Sequence, residues 1–259
     1  MTSEPAGALP ETCCPTLWLG PGQAVYAGPS LDLGPHSGSV SCLAVGVDDS
    51  FTIRAASGGC TARTALIAPR FRHQLISHGG QMLFCYLDAT SARERACRLR
   101  MSGGDHPLRY DHLEESVLIR LGTRLDDPAA AQRWLNLVGP AESGAVDGRI
   151  DTAARHLRER TNPTVAAAEL AAGAGLSTSR FLHLFKEHTG TSFRRYRLWA
   201  RMLRAGSLLA DRRDLTAAAA DAGFASPSHF SDSFHAMFGL RPSRLLATGV
   251  VIRFLPAAG

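Results

Sequence analysis

Lysine is almost absent from this sequence: of its 28 basic residues only Lys186 is a lysine. Such a bias reflects genomic composition before it says anything about function. No run approaches the roughly 18 consecutive apolar residues that a membrane-spanning helix needs, so no membrane partner is expected. Residues 1–10 have neither a basic start nor an apolar core, so no export signal is read there and a cytoplasmic location is expected. Cysteine is sparse and one-sided, with Cys13, Cys14, Cys42, Cys60, Cys85 and Cys97 and none beyond. No two of them have C-x-x-C spacing, and they read as reduced thiols, several in strands. Also missing are G-x-S-x-G, a Walker-type loop, G-x-G-x-x-G and H-E-x-x-H, the usual marks of hydrolases, nucleotide binders and zinc proteases.

What the chain has is a charge asymmetry and a repeat. Residues 148–249 hold 15 Lys+Arg against 8 Asp+Glu, a balance of +7, while the remainder balances at −2, giving the overall +5. A positive field confined to one region suits phosphate neutralisation. The same region holds two copies of one pattern. The first reads Ala174-Gly175-Leu176-Ser177, then Phe181, Phe185 and Gly190; the second reads Ala222-Gly223-Phe224-Ala225, then Phe230, Phe234 and Gly239. An internal repeat means one supersecondary unit used twice.

In each copy a short helix (165–172; 215–221) ends at a glycine turn. A small polar N-cap follows, Ser177 in one and Ser226 before Pro227 in the other. The next helix carries Phe at i and i+4 on one face. Two helices about such a turn make a helix-turn-helix, whose second member fits a major groove. Between the copies, residues 192–210 read as a linking helix about 28 Å long. That length suits two reading helices about one duplex turn apart. Gly206 within it is expected to cost up to about 1 kcal/mol relative to Ala.

With Leu170-Ala171, Arg180-Phe181, Leu184-Phe185-Lys186, Phe193, Tyr196, Arg201, Ala205, Leu208-Leu209, Ser228-His229-Phe230, Phe238-Gly239 and Pro242-Ser243 added, residues 148–249 resemble the DNA-binding domain of the AraC family of transcription regulators. The resemblance implies double-stranded promoter DNA as partner, with RNA polymerase. It places Ser179, Leu182 and His183 at base-facing positions of the first unit, and Ser228, His229, Ser231 and Asp232 at those of the second. Arg180, Lys186, Arg194, Arg195, Ser226, Arg241 and Arg244 are the expected phosphate contacts. Two departures stand out. Asp232 is unfavourable near phosphates unless it accepts from a cytosine amino group. Ala167 and Ala218 occupy positions usually filled by Leu or Ile, at roughly 2 kcal/mol or more each if uncompensated.

The preceding half reads as short strands punctuated by turns, with candidates at 39–47, 51–54, 64–68, 74–77 and 82–87. With Gly34-Pro35-His36, Pro69, His73 and Tyr86-Leu87-Asp88, it resembles the cupin-like sensor half of many AraC-family proteins. His36, His73 and Tyr86 are its candidate effector-binding residues. The expected class is α+β: a small cupin-like β-barrel with following helices, then an all-α domain of two helix-turn-helix units joined by a long helix. The divisions are a loose arm 1–16, the β sensor domain 17–90, a helical connector 91–138, a linker 139–147, the DNA-binding domain 148–249 and a tail 250–259 that the pattern does not place. Helices are read at 91–101 and 128–138, with a break at 103–107. Residues 126–138 either pair two chains into a homodimer or pack back on their own barrel.

His36, His73 and His78 lack the H-x-H pair of cupin metal sites, and neither a metal, another cofactor nor catalysis is expected. The reading is an effector-responsive transcription regulator, more often an activator by resemblance. The alternative is a cupin-type metal-binding enzyme or module with an appended helical domain.

Overall fold

The computed structural model describes residues 14–141, 147–159 and 165–256. Cys13, most of the arm and most of the linker lie outside them. Eight strands form one sheet: β1 (Thr16–Gly20), β2 (Gln23–Pro29), β3 (Ser41–Gly46), β6 (Thr64–Ile67), β8 (Gln81–Leu87), β9 (Met101–Asp105), β10 (Leu108–His112) and β11 (Val251–Phe254), in the order β11-β1-β2-β8-β3-β6-β10-β9. A three-stranded sheet, in the order β5-β4-β7, contains β4 (Phe51–Ala55), β5 (Gly58–Ala62) and β7 (His73–Ser77). The class is α+β as expected, but the strands make an open sheet against a smaller one instead of a closed barrel.

Strand β8 shows why the centre of the large sheet is buried on both faces. Side chains alternate along a strand, and here both sets are apolar. Leu83, Cys85 and Leu87 meet Trp18, Val25, Leu43 and the helices α1 (Ala92–Leu99), α2 (Glu115–Gly122) and α3 (Pro128–Val138). Met82, Phe84 and Tyr86 turn to the opposite core. One face of helix α3 packs back on the chain's own sheet through Ala131, Trp134, Leu135 and Val138, and the Trp134 indole N–H donates to Leu118 O at 2.9 Å. The 103–107 stretch proves to be a hairpin, not a break: glycines and Pro107 mimic a loop in the sequence, while β9 and β10 pair across it.

The helical half contains α4 (Gly148–Glu159), α5 (Ala167–Gly173), α6 (Thr178–Thr189), α7 (Phe193–Ala210), α8 (Leu215–Asp221), α9 (Pro227–Phe238) and α10 (Pro242–Ala247). Its two units are not equivalent in packing. The first has its own core of Ile150, Ala154, Phe181, Phe185, Phe193 and Tyr196. The second shares one with the β half, where Trp199, Met202, Phe230, Met237 and Phe238 join Leu19, Tyr26, Phe51 and Phe84. Helix α7 spans both. Gly206 is explained by this contact, because a Cβ there would lie 2.9 Å from Leu19 Cδ1. Ala218 is fully buried and Ala167 half-buried.

The tail is a strand. β11 pairs in parallel with β1, Leu255 N donates to Leu19 O at 2.8 Å, and the Leu255 side chain is buried in the α1–α3 core. A four-residue strand has little local signal. Only the open edge of β1 gives it a partner.

Candidate nucleic-acid interface and apolar pocket

Each unit's second helix, α6 or α9, is set by its turn. Gly175 and Gly223 sit at φ +66° and +85°, where a side chain is disfavoured. Ser177 Oγ then caps α6 by accepting from Arg180 N at 3.3 Å, and Ser226 Oγ caps α9 from His229 N at 3.0 Å. Phe181, Leu184 and Phe185 are buried, which forces Ser179, Arg180, Leu182, His183 and Lys186 outward, all exposed. His183 Nε2 lies 3.9 Å from Glu187.

In α9, Ser228 and Asp232 are exposed while His229 and Ser231 are half-buried. Three of these have intramolecular contacts. His229 packs edge-on to Phe224 with ring centroids 5.6 Å apart, and its Nδ1 accepts from Ala225 N at 3.4 Å. Arg241 reaches back to Ser231 Oγ at 3.1 Å and to Asp232 at 3.7 Å. Asp232 thus has a cationic neighbour within its own unit. Ser226, expected at phosphate, is a helix cap.

The expected phosphate contacts divide. Arg180, Lys186 and Arg194 are exposed. Arg195 is half-buried and donates from Nη2 to Ser37 O at 2.6 Å and Ser37 Oγ at 2.9 Å. Arg244 lies 3.4 Å from Asp32. Sequence reasoning had no means of seeing these partners, which lie 158 and 212 positions away.

The halves are joined elsewhere by a buried polar triad. Asp88, at the end of β8, accepts from Tyr196 Oη and from Arg158 Nη1, and Arg158 donates to Tyr196 Oη at 2.5 Å. The Asp88 and Arg158 side chains are 2% and 15% exposed. Burial, with the Asp88 carboxylate beside it, pushes the Tyr196 phenol well above its usual range.

The candidate effector residues separate. Tyr86 lines an apolar cavity of about 90 Å³ between sheet and helices, with Leu19, Leu31, Leu33, Trp199, Met202 and Phe234 also on its wall. His36 and His73 are not on that wall. They are buried, bridge through their backbones at 2.9 and 3.0 Å, and hold their rings 4.5 Å apart. Each Nδ1 meets a carbonyl, Gly34 O at 2.9 Å and Phe71 O at 3.0 Å. Burial, with His73 close by, lowers His36 to about 4, and burial lowers His73. Among the described residues no three His, Cys, Asp or Glu side chains converge as metal ligands would. Beyond Leu19 and Leu203 a cleft of about 560 Å³ opens, with Arg155, Arg158 and Arg204 on its wall. No helix among the described residues is long and apolar enough to cross a membrane.

A helix-turn-helix domain family matches residues 170–248. The probable transcriptional regulator LumQ of Photobacterium leiognathi is 33% identical over 128 residues, 49% of this chain. The matched stretch spans 46% of that protein, about half its length. In fold, the chain is similar to an apo variant of ToxT from Vibrio cholerae, with TM-score 0.60 and 14% identity over 89% of this chain and 99% of that one. It is also similar to ToxT bound to an unsaturated fatty acid, with TM-score 0.55 and 15% identity over 92% and 95%. The repeat, the capped helices and these likenesses agree: behind a sheet-rich N-terminal half in a ToxT-like fold, residues 170–248 form a helix-turn-helix domain of the AraC type.

Proposed function

We propose that the chain is a sequence-specific DNA-binding transcription regulator, reading two major-groove segments through α6 and α9. The observation that carries this is the pair of matched, Ser-capped helices with polar outward faces, held at the two ends of α7, which is about 27 Å long. Ser179, Leu182 and His183 read bases in the first segment. Ser228 and Asp232 do so in the second, with His229 and Ser231 playing the smaller part their intramolecular contacts leave them. Arg180, Lys186 and Arg194 anchor the backbone. Promoter DNA and RNA polymerase are its partners, activation its mode and a homodimer its working form.

The apolar cavity is the effector site, and the effector is an amphiphile with an acidic head. An apolar wall, a cleft beyond it in which Arg155, Arg158 and Arg204 outnumber Glu159 and Asp211, and a fatty acid in a protein of similar fold support this. At about 90 Å³ the cavity is smaller than the roughly 150 Å³ space that holds a benzene ring. Ligand entry therefore has to push helices and sheet apart.

Selection of duplexes from a random pool, followed by footprinting, tests the reading. Two protected grooves on one face are expected; protection of one alone contradicts it. His183→Ala should relax preference at one base position, by about 1–3 kcal/mol of discrimination. Arg194→Ala should weaken every sequence alike and flatten the salt dependence. Equal effects of the two would refute the assignment.

A further inference from the structure

The loop after β2 does two things at once. Leu31 and Leu33 lie on the wall of the apolar cavity. The residues that continue from them hold the second reading unit: Gly34 N donates to Gly239 O at 2.8 Å and Ser37 N to Ala236 O at 3.1 Å. Ser37 also offers its carbonyl and hydroxyl oxygens to the Arg195 guanidinium, and Asp32 offers its carboxylate to Arg244. Two oxygens on one guanidinium and a carboxylate on another are the chemistry a DNA phosphate would supply.

We propose that residues 32–37 are an intramolecular stand-in for the DNA backbone, occupying Arg195 and Arg244 until a duplex displaces them. This rests on the DNA-reading function proposed above. The Asp32–Arg244 pair contributes little, because its side chains are 93% and 64% exposed. Arg195, half-buried and bonded twice to Ser37, is the principal lock. Its present partners, Ser37 O and Oγ, are neutral, and burial together with the neighbouring Arg70 disfavours its charge there, so a monoanionic DNA phosphodiester is the better partner. The cavity shares this loop. A ligand that spreads Leu31 and Leu33 draws on the same segment and so couples effector occupancy to the availability of Arg195.

The test uses the full chain and a duplex recovered from the random pool. Asp32→Asn combined with Ser37→Pro removes the carboxylate and the N–H that docks the loop on Ala236. The variant should bind that duplex about tenfold tighter than the parent, the order of one hydrogen bond to a charged group. Amide exchange of the unmodified chain gives an independent reading that does not depend on the variant folding. Gly34 and Ser37 should exchange faster when DNA is saturating. Binding by the variant alone also supports the masking. Unchanged protection of both amides on DNA overturns it. Equal affinities with a parent that does bind overturn the masking but leave the DNA reading standing. Failure of both chains to bind any duplex overturns the two together.

Discussion

Replacing Arg158 by Met would leave the Asp88 carboxylate buried without its cation. Removing one member of a buried ion pair costs about 3–5 kcal/mol, mostly from the uncompensated charge that remains. Here Asp88 keeps the Tyr196 hydroxyl, Thr90 N at 2.9 Å and Thr90 Oγ1 at 3.0 Å, so the lower end, about 3 kcal/mol, is expected. Asp88→Asn should cost a similar amount by stranding the guanidinium, which is 15% exposed. The two together bury no lone charge and should cost about as much as either alone, giving a coupling near 3 kcal/mol. Urea denaturation of the four chains measures it. Amide exchange adds where the loss falls: in Arg158→Met the α4 amides should lose protection before those of β8, because Arg158 fastens α4 to the sheet. Additivity within about 0.5 kcal/mol, or simultaneous loss in α4 and β8, would refute the triad as the joint between the halves.

Other outcomes follow from the same contacts. His36 has its pKa lowered to about 4 and His73 is lowered too. The unfolded chain therefore binds more protons than the folded one as pH falls below the usual imidazole value. Stability is full above about pH 6.5 and declines toward pH 4, by about 3 kcal/mol from His36; His36→Leu should flatten that decline in denaturation at stepped pH. Gly239 and Gly190 both sit at positive φ, +80° and +66°, but a Cβ at 239 would lie 2.7 Å from Gly34 O, whereas at 190 the nearest atom is Pro69 Cγ at 3.4 Å. Both Ala variants bear about 1–2 kcal/mol of left-handed strain, and Gly239→Ala should lose more than Gly190→Ala in thermal unfolding; equal losses would deny the close approach of the loop. Leu255→Ala should cost about 2–3 kcal/mol although it lies in the tail, and a change under about 0.5 kcal/mol would mean that β11 adds little to the sheet.

The helix-turn-helix units were legible because their determinants are local. Phe at i and i+4, a Ser cap and a turn glycine act within a dozen residues, and the observed α6 and α9 bury Phe181, Phe185 and Phe230 as that spacing demands. The central strands β3, β6 and β8 were legible from their apolar runs. The hairpin at 101–112, the strand at 251–254 and the openness of the sheet were not, since each depends on which edge is left for pairing. For residues 126–138 the amphipathic face of α3 was evident, but not what would cover it.

The chain's own order of residues decided that it has two capped, repeated helices joined by a rod and a basic field around them. Only the folded arrangement decided that the second unit completes its core with the β half, that Asp88 answers Arg158 and Tyr196, and that Ser37 occupies Arg195. Helical periodicity and capping are written within a few turns of chain. A guanidinium's partner 158 positions away is fixed only when sheet and helices have closed on one another.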